Sequence, residues 1–243
     1  MTTLTNKLRY LLFQIRNPGD PMREQEVRAF SRALGCEPER ITDWDILQSL
    51  PDRSELDRHD MVLIGGSGHY SATSTEPWID PILDEMRELC ARQKPTFASC
   101  WGFQSMARAM GGRVINDLSH AELGTHTMRL TAAGREDPIF GPLGLEFRGQ
   151  MGHEDRVAEL PPGAVLLAST DRVENQAYRM EGMPIYCTQF HAELNREDLM
   201  GRVRAYPEYI ERIAGLPIER FSEMLQDTPE TEHLVRRFVE VVF

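Results

Sequence analysis

The 243-residue sequence predicts an α/β fold in which a mostly parallel central sheet is flanked by helices and carries appended antiparallel strands. The first observation is that apolar runs of strand length alternate with stretches of helix length through residues 8–112, which is typical of a parallel sheet covered on both faces. The second is a change, over residues 113–186, to short segments separated by turn residues, which is typical of hairpins. The chain becomes helical after Glu193, and no linker is long enough to divide it. We therefore expect one domain, residues 1–243, with a helical tail from about residue 194.

In the first part of the chain, apolar runs bounded by turn residues predict strands at residues 8–15, 40–46, 61–64 and 96–98. Helices are expected at residues 21–34, 75–92 and 103–110. Gly35 closes the first of these helices, and Pro77 is expected at the first position of the second. This alternation gives the parallel part of the sheet.

The second part of the chain predicts antiparallel strands, at residues 114–115, 127–131, 146–148, 164–169 and 176–179. A further strand is expected at residues 184–190, and helices of the tail are expected at residues 198–214 and 230–241. The antiparallel strands are therefore inserted before the last strand of the central sheet.

The composition excludes several classes of partner. Lys and Arg number 27 against 38 Asp and Glu, and the resulting net charge of −11 argues against binding to nucleic acid or to an anionic membrane surface. The apolar run near the N-terminus is too short for a signal peptide, and no later run could span a bilayer. The four cysteines show no C-x-x-C spacing, so neither a disulfide framework nor a zinc site is expected. These observations predict a cytoplasmic protein without a metal site.

Residues 95–112 place one cysteine where a nucleophile would lie. The short strand at 96–98 is followed by a tight turn, S-C-W-G, and then by the helix at 103–110. Ala98 and Gly102 flank Cys100 two positions to either side, and a strand that turns sharply into a helix needs small neighbours. Amide donors and the dipole at the helix N-terminus favour the reactive thiolate. The alternative is a buried structural cysteine at a strand end.

A candidate base follows the last predicted strand. His191 ends the run P-I-Y-C-T-Q-F-H, and Glu193 comes two residues later. An imidazole can accept the thiol proton, and a carboxylate behind it fixes the tautomer and the ring orientation. Ligands of open α/β sheets bind at the carboxyl ends of the strands, which suits this placement. Taken alone, a histidine after a strand is more often a capping or surface residue.

The strings S-C-W-G-F-Q, Q-F-H-A-E and M-V-L-I-G-G-S-G, in their order and separations, resemble those of the class I (triad) glutamine amidotransferases. The resemblance extends from about residue 8 to residue 193, and the tail resembles that of stand-alone proteins similar to the glutaminase domain of GMP synthase. Ala98 and Ala192 stand where the family usually has glycine and proline; neither change removes a catalytic group. The resemblance implies a flavodoxin-like sheet and a catalytic triad of Cys100, His191 and Glu193.

The resemblance also implies an oxyanion hole and a substrate site. Backbone amides stabilise an oxyanion well, and glycines allow the main chain to approach closely. The amides of Gly66 and Trp101 are the implied oxyanion donors. The implied substrate-binding residues are Gln104, Gly152 and His153, the last two in a segment, G-H-E-D, that resembles the family's S-H-x-D.

The implied activity is Cys-dependent hydrolysis of the glutamine side-chain amide through a γ-glutamyl thioester, which releases ammonia for an unknown acceptor. No cofactor is required, and the possible partners are glutamine or a γ-glutamyl compound and a synthase subunit. Two alternatives stay open: a stand-alone γ-glutamyl peptidase or hydrolase, and a catalytically silent binding relative. The polar loop at residues 69–76 is suitable for a lid over the pocket.

Overall fold

The apolar runs of the first hundred residues form the parallel centre of a nine-stranded sheet. In the computed structural model, which describes residues 3–243, the strand order is β2-β1-β3-β4-β11-β10-β9-β6-β7, and β5 and β8 form a separate two-stranded sheet. The strands are β1 Tyr10–Gln14, β2 Ile41–Asp45, β3 Met61–Ile64, β4 Thr96–Ser99, β5 Arg113–Asn116, β6 Glu122–Leu130, β7 Glu146–His153, β8 Asp155–Glu159, β9 Ala164–Ser169, β10 Ala177–Met180 and β11 Ile185–Thr188. The first five strands of the large sheet are parallel, and the rest are antiparallel. The predicted fold class is confirmed.

Helices cover both faces of the sheet. They are α1 Met22–Leu34, α2 Arg53–Arg58, α3 Ile79–Ala91, α4 Trp101–Ala109, α5 Ala132–Glu136, α6 Arg196–Ala205, α7 Ile218–Met224, α8 Pro229–Glu232 and α9 Leu234–Val242, with a π-helical segment at Ile210–Ala214. Alternate residues of β1 belong to two different apolar clusters, one with α1 and α9 and the other with α3 and α4. Every residue of β1 and β3 is buried, which explains why both strands are apolar except for Gln14 at the end of β1.

The tail packs against the body of the chain. A third apolar cluster joins Ala29 of α1 to residues of α6, the π-helical segment and α7. This contact brings residues of the tail to the edge of the sheet at which the parallel strands end.

Several predicted boundaries differ from the structure. The predicted helix 75–92 begins only at Ile79, so Pro77 precedes the helix and is not its first residue. The predicted helix 198–214 ends at Ala205, because Pro207 disfavours the helical conformation at Tyr206, whose φ and ψ are −127° and 69°. Strand β6 begins at Glu122 rather than at residue 127, and β7 continues to His153 rather than ending at residue 148. Strand β8 and helices α2, α5 and α7 were not predicted. Across residues 3–243, none of the helices is both long and apolar enough to cross a membrane.

Candidate active site

The carboxyl ends of three neighbouring parallel strands, β3, β4 and β11, bring the predicted site residues to one edge of the sheet. Ile64 pairs with Ala98, and Ser99 pairs with Thr188. The residues that follow are the Gly65-Gly66 pair after β3, Cys100 directly after β4, and His191 three positions after the end of β11. This edge is where ligands bind in open α/β sheets.

Cys100 lies at a sharp, strained strand-to-helix turn. Its φ is 53° and its ψ is −103°, a conformation that non-glycine residues rarely adopt. Its amide donates to the Thr188 carbonyl (2.8 Å), which holds the turn to β11. Gly102 cannot carry a side chain here, because a Cβ would lie 2.8 Å from the side chain of Ile64. The turn therefore has the geometry predicted for a nucleophile elbow.

The Cys100 thiol is buried and protonated in the resting structure. Burial raises its pKa to about 12, although the charge of Arg202 and a hydrogen bond from the Trp101 amide both act to lower the pKa. The sulfur donates to the Gly152 carbonyl at 3.6 Å. We expected the helix N-terminus to favour the thiolate; the Trp101 amide does so, but desolvation has the larger effect.

His191 and Glu193 form a buried hydrogen-bonded pair. His191 Nδ1 lies 2.7 Å from Glu193 Oε1. The interaction with His191, which includes a hydrogen bond, and the charge of Arg202 lower the pKa of Glu193 to about 2 despite its burial, so the carboxylate is ionised. The proton of a neutral imidazole must then be on Nδ1, which leaves Nε2 as a proton acceptor. Burial lowers the pKa of His191, which favours this neutral form.

Cys100 and His191 follow adjacent strands, β4 and β11, and no hydrogen bond joins them in the part of the chain that the structure describes. Within residues 3–243, the thiol bonds to Gly152 rather than to the imidazole. Gly152 lines the cavities next to both side chains. Catalytic hydrogen bonds are often long before substrate binds, so this arrangement is compatible with a triad in its resting state.

Gly66 lies directly beside the imidazole. A Cβ at this position would lie 2.7 Å from His191 Cε1, so only glycine leaves room for the ring. The Gly66 amide donates to Glu26 Oε1 at 3.2 Å. The expected oxyanion donor is therefore engaged by a carboxylate in this structure, whereas the Trp101 amide already lies at the Cys100 sulfur.

The predicted substrate residues surround a cavity of about 390 Å³ next to Cys100. Gln104 Nε2 donates to the Asp155 carbonyl (2.8 Å) and approaches Gln189 Oε1 (3.2 Å). His153 is buried, and its ring nitrogens lie 3.0 Å from the Asp155 carbonyl and 3.1 Å from Glu122 Oε2. Both nitrogens are thus engaged, which argues against His153 as the base. The cavity is lined by residues 67–71, Cys100, Trp101, Gln104, Asn116, residues 152–155, Glu208, Tyr209 and Arg212.

The polar loop over the cavity is tied down. Asp155 Oδ2 accepts from Ser71 Oγ (2.5 Å) and from the Ala72 amide (3.1 Å). The Arg108 guanidinium donates to the carbonyls of Ala72 and Ser74, at 2.7 Å each. The loop is therefore a fixed wall of the cavity in this structure.

Sequence reasoning missed three residues at the site. Arg202 of α6 lies against the imidazole, Glu26 of α1 accepts from the Gly66 amide, and Tyr209 of the tail lines the cavity. None belongs to a motif, and each reaches the site through a long-range contact. Only a sign that Arg202 is buried could have pointed to it, and an arginine in a polar helix gives no such sign.

Comparison with known proteins identifies relatives of this chain. The family model described as glutamine amidotransferase class-I matches residues 24–199. The chain is similar to gamma-glutamyl peptidase 3 of Arabidopsis thaliana, with 26% identity over 242 residues that cover 95% of this chain and 93% of the relative. It is also similar to a glutamine-hydrolyzing GMP synthase of Flavobacterium psychrophilum, with 33% identity over 141 residues, 58% of this chain and 26% of the relative. A crystal structure of a glutamine amidotransferase from Thermotoga maritima has a TM-score of 0.75 at 19% identity and covers 96% of this chain and 97% of its own.

Proposed function

Since the chain belongs to the class I glutamine amidotransferase family, we propose that it hydrolyses a γ-glutamyl amide bond with Cys100 as nucleophile, His191 as acid and base, and Glu193 as the orienting carboxylate. The observation that carries this proposal is the buried 2.7 Å contact between His191 Nδ1 and Glu193, at the edge where the elbow places Cys100. Among residues 3–243, no hydrogen bond engages Nε2 of this imidazole. A nucleophile, a base and an orienting group are the three parts of such a site.

The reaction begins with transfer of the Cys100 proton to His191 Nε2. The sulfur then attacks the γ-carbonyl carbon, and the Trp101 amide stabilises the oxyanion. Gly66 supplies the second donor once its amide is released by Glu26. His191 returns the proton to the leaving nitrogen, the C–N bond breaks, and a γ-glutamyl thioester remains. Water, deprotonated by His191, attacks the thioester and releases glutamate, and the proton returns to the sulfur.

The raised pKa of the Cys100 thiol restricts how the thiolate can form. Because burial raises the pKa of Cys100 to about 12, the free thiol is protonated at neutral pH. The thiolate therefore forms by transfer to the neighbouring imidazole and not by loss of the proton to solvent. The thiol must turn from the Gly152 carbonyl towards His191 for this transfer.

Two substrate classes fit this chemistry, and we favour γ-glutamyl conjugates over free glutamine. Four relatives matched over 77% or more of the chain are named gamma-glutamyl peptidases, whereas matches to GMP synthases cover 51% to 58% of the chain. The cavity of about 390 Å³ lies within the range of ligand pockets, about 300–1,000 Å³, and continues beyond Cys100 between the loop and the tail. A leaving group larger than ammonia has room there. In the alternative, glutamine is the substrate and the ammonia passes to an acceptor, such as a synthase subunit.

The test is a glutamate-release assay on the purified chain with γ-glutamyl dipeptides and with glutamine. We expect a higher kcat/KM for at least one dipeptide than for glutamine, and no turnover of either by Cys100→Ser. Cys36→Ser, a change at a buried thiol outside the site, is the matched control and should retain activity.

A second measurement identifies the nucleophile. A diazo-ketone analogue of glutamine should label Cys100 in preference to Cys36, Cys90 and Cys187. Labelling that persists unchanged in Cys100→Ser would refute the assignment.

In the glutamate-release assay, greater activity towards glutamine than towards every dipeptide would favour the amidotransferase alternative.

A further inference from the structure

Behind the triad lies a buried cluster of charged side chains from four separate segments. Glu26 Oε1 lies 2.9 Å from Arg16 Nη2 and 3.4 Å from Arg202 Nη2. Arg202 Nη2 also lies 3.6 Å from Glu193 Oε1. Burying charges is costly unless they are paired, and here two guanidinium groups meet two carboxylates. Asp20 Oδ2 lies 3.9 Å from Arg16 Nη1 and adds a third buried carboxylate, so loss of either guanidinium leaves buried negative charge without its partner.

Arg202 is the member of this cluster that reaches the imidazole. Its Nη1 lies 3.2 Å from His191 Nδ1, and its Nε donates to Gln25 Oε1 at 3.0 Å. Because Nδ1 carries its proton towards Glu193, it cannot also accept a hydrogen bond from Arg202. The guanidinium therefore acts on the imidazole through its charge and through its contact with Glu193.

We propose that Arg202 is a positioning residue of the triad, which fixes Glu193 and keeps His191 neutral and able to accept the Cys100 proton. The proposal deepens the proposed function and rests on it. Arg202 does not line the cavity next to Cys100 and contacts His191 and Glu193 instead, so its effect passes through the His191–Glu193 pair.

The sign of the electrostatic effect is the same at both reacting groups. A positive charge disfavours the imidazolium and favours the thiolate, so Arg202 lowers the pKa of His191 and that of Cys100. Glu193 and Glu26 act in the opposite direction on His191, while burial lowers its pKa most. The other charged or titratable groups are Arg16, Tyr206 and Tyr209 around the imidazole, Asp20 in contact with Arg16, and Asp155, whose charge raises the pKa of Cys100.

The experiment compares Arg202→Met, which removes the charge at similar length, with Arg202→Lys, which keeps it. Arg204→Met is the matched control, because Arg204 is an exposed arginine on the same helix. Circular dichroism establishes that each variant is folded. If Arg202→Met does not fold, Arg202→Gln supplies the neutral side chain and can still contact Glu26 or Gln25.

Two pH profiles are measured for each variant: kcat/KM for the γ-glutamyl substrate and the rate of Cys100 alkylation by iodoacetamide, followed by mass spectrometry. In Arg202→Met, we expect the acidic limb of both profiles to move to higher pH by at least about one unit. At a fixed pH on that limb, the rate should then be roughly tenfold lower than in the wild type. The limb should stay in place in Arg202→Lys and in Arg204→Met.

The outcomes separate this proposal from the function on which it rests. A neutral variant that loses activity with both limbs unmoved would refute the role of Arg202, since a merely structural residue has that effect. A limb that moves equally in Arg202→Lys would refute the role of the charge. Alkylation that shifts as expected, in a wild-type chain that turns over no γ-glutamyl substrate, would refute the proposed function and support the effect of Arg202 on the thiol.

Discussion

The strained backbone at Cys100 predicts an unusual response to glycine. The residue has a φ of 53° and a ψ of −103°, and such a conformation costs a non-glycine residue about 1–3 kcal/mol. In Cys100→Gly that strain is absent, whereas in Cys100→Ala it remains. Glycine also loses the Cβ contacts and gains entropy in the unfolded chain, which together destabilise it by about 1 kcal/mol or slightly more.

A matched comparison isolates the strain. Cys187 is also a buried cysteine, but it lies within strand β11, where glycine gains no relief of strain. We expect Cys187→Gly to be less stable than Cys187→Ala by about 1 kcal/mol. At position 100 the change from alanine to glycine also relieves the backbone strain. The stability of the glycine variant relative to the alanine variant should therefore be higher than at position 187 by about 1–3 kcal/mol.

Urea denaturation of the four variants measures these differences as shifts in midpoint at constant m-value. Equal losses on changing alanine to glycine at positions 100 and 187 would mean that the elbow stores no strain. The reasoning from the dihedral angles would then be wrong.

Three further predictions concern the elbow and the triad. Gly102→Ala should lower the free energy of unfolding by about 1–3 kcal/mol, because the new Cβ would overlap Ile64. An unchanged urea midpoint would show that the elbow can accommodate the methyl group. His191→Ala should nearly abolish turnover, whereas Glu193→Ala should retain measurable activity. His153→Ala should raise KM more than it lowers kcat. Equal losses of kcat in the two histidine variants would contradict the choice of His191 as the base. The folded state lowers the pKa of Glu193 from 4.5 to about 2, so its contribution to stability is complete above pH 4.5 and is lost as the pH falls towards 2. Wild-type unfolding free energy should therefore fall more steeply over that range than that of Glu193→Gln.

The parts of the site that sequence predicted are those that local patterns encode. Cys100, His191 and Glu193 each follow a short apolar strand, and parallel strands end at one edge of the sheet. The structure places all three at that edge; their catalytic roles stay predictions. The class of fold and the family are confirmed, because both depend on the alternation of strands and helices and on motifs in a fixed order.

The parts that sequence reasoning missed depend on contacts between distant segments. Arg202 and Glu26 are separated by 176 positions and meet only because α6 folds back onto α1. The bond from the Gly66 amide to Glu26 likewise spans 40 positions. No periodicity or local motif reports such a contact. Pro207 is a local signal for the end of α6 that the predicted helix 198–214 did not take into account.

The two walls of the cavity next to Cys100 come from different parts of the chain. One wall, at residues 67–72, lies within the part matched by the family model and is tied to Asp155. The opposite wall contains Glu208, Tyr209 and Arg212, which lie beyond the matched residues 24–199. Its bonds to the body include Tyr209 to the Gly68 carbonyl (3.3 Å) and Arg212 to Glu154 (2.8 Å).

Under the proposed function, the part matched by the family model supplies the groups that cleave the amide bond, and the tail borders the space for the group that leaves. Two chains with the same elbow, base and carboxylate would then accept different conjugates when their segments equivalent to 206–215 differ. Exchanging that segment between relatives would transfer a preference for one leaving group without altering a catalytic residue.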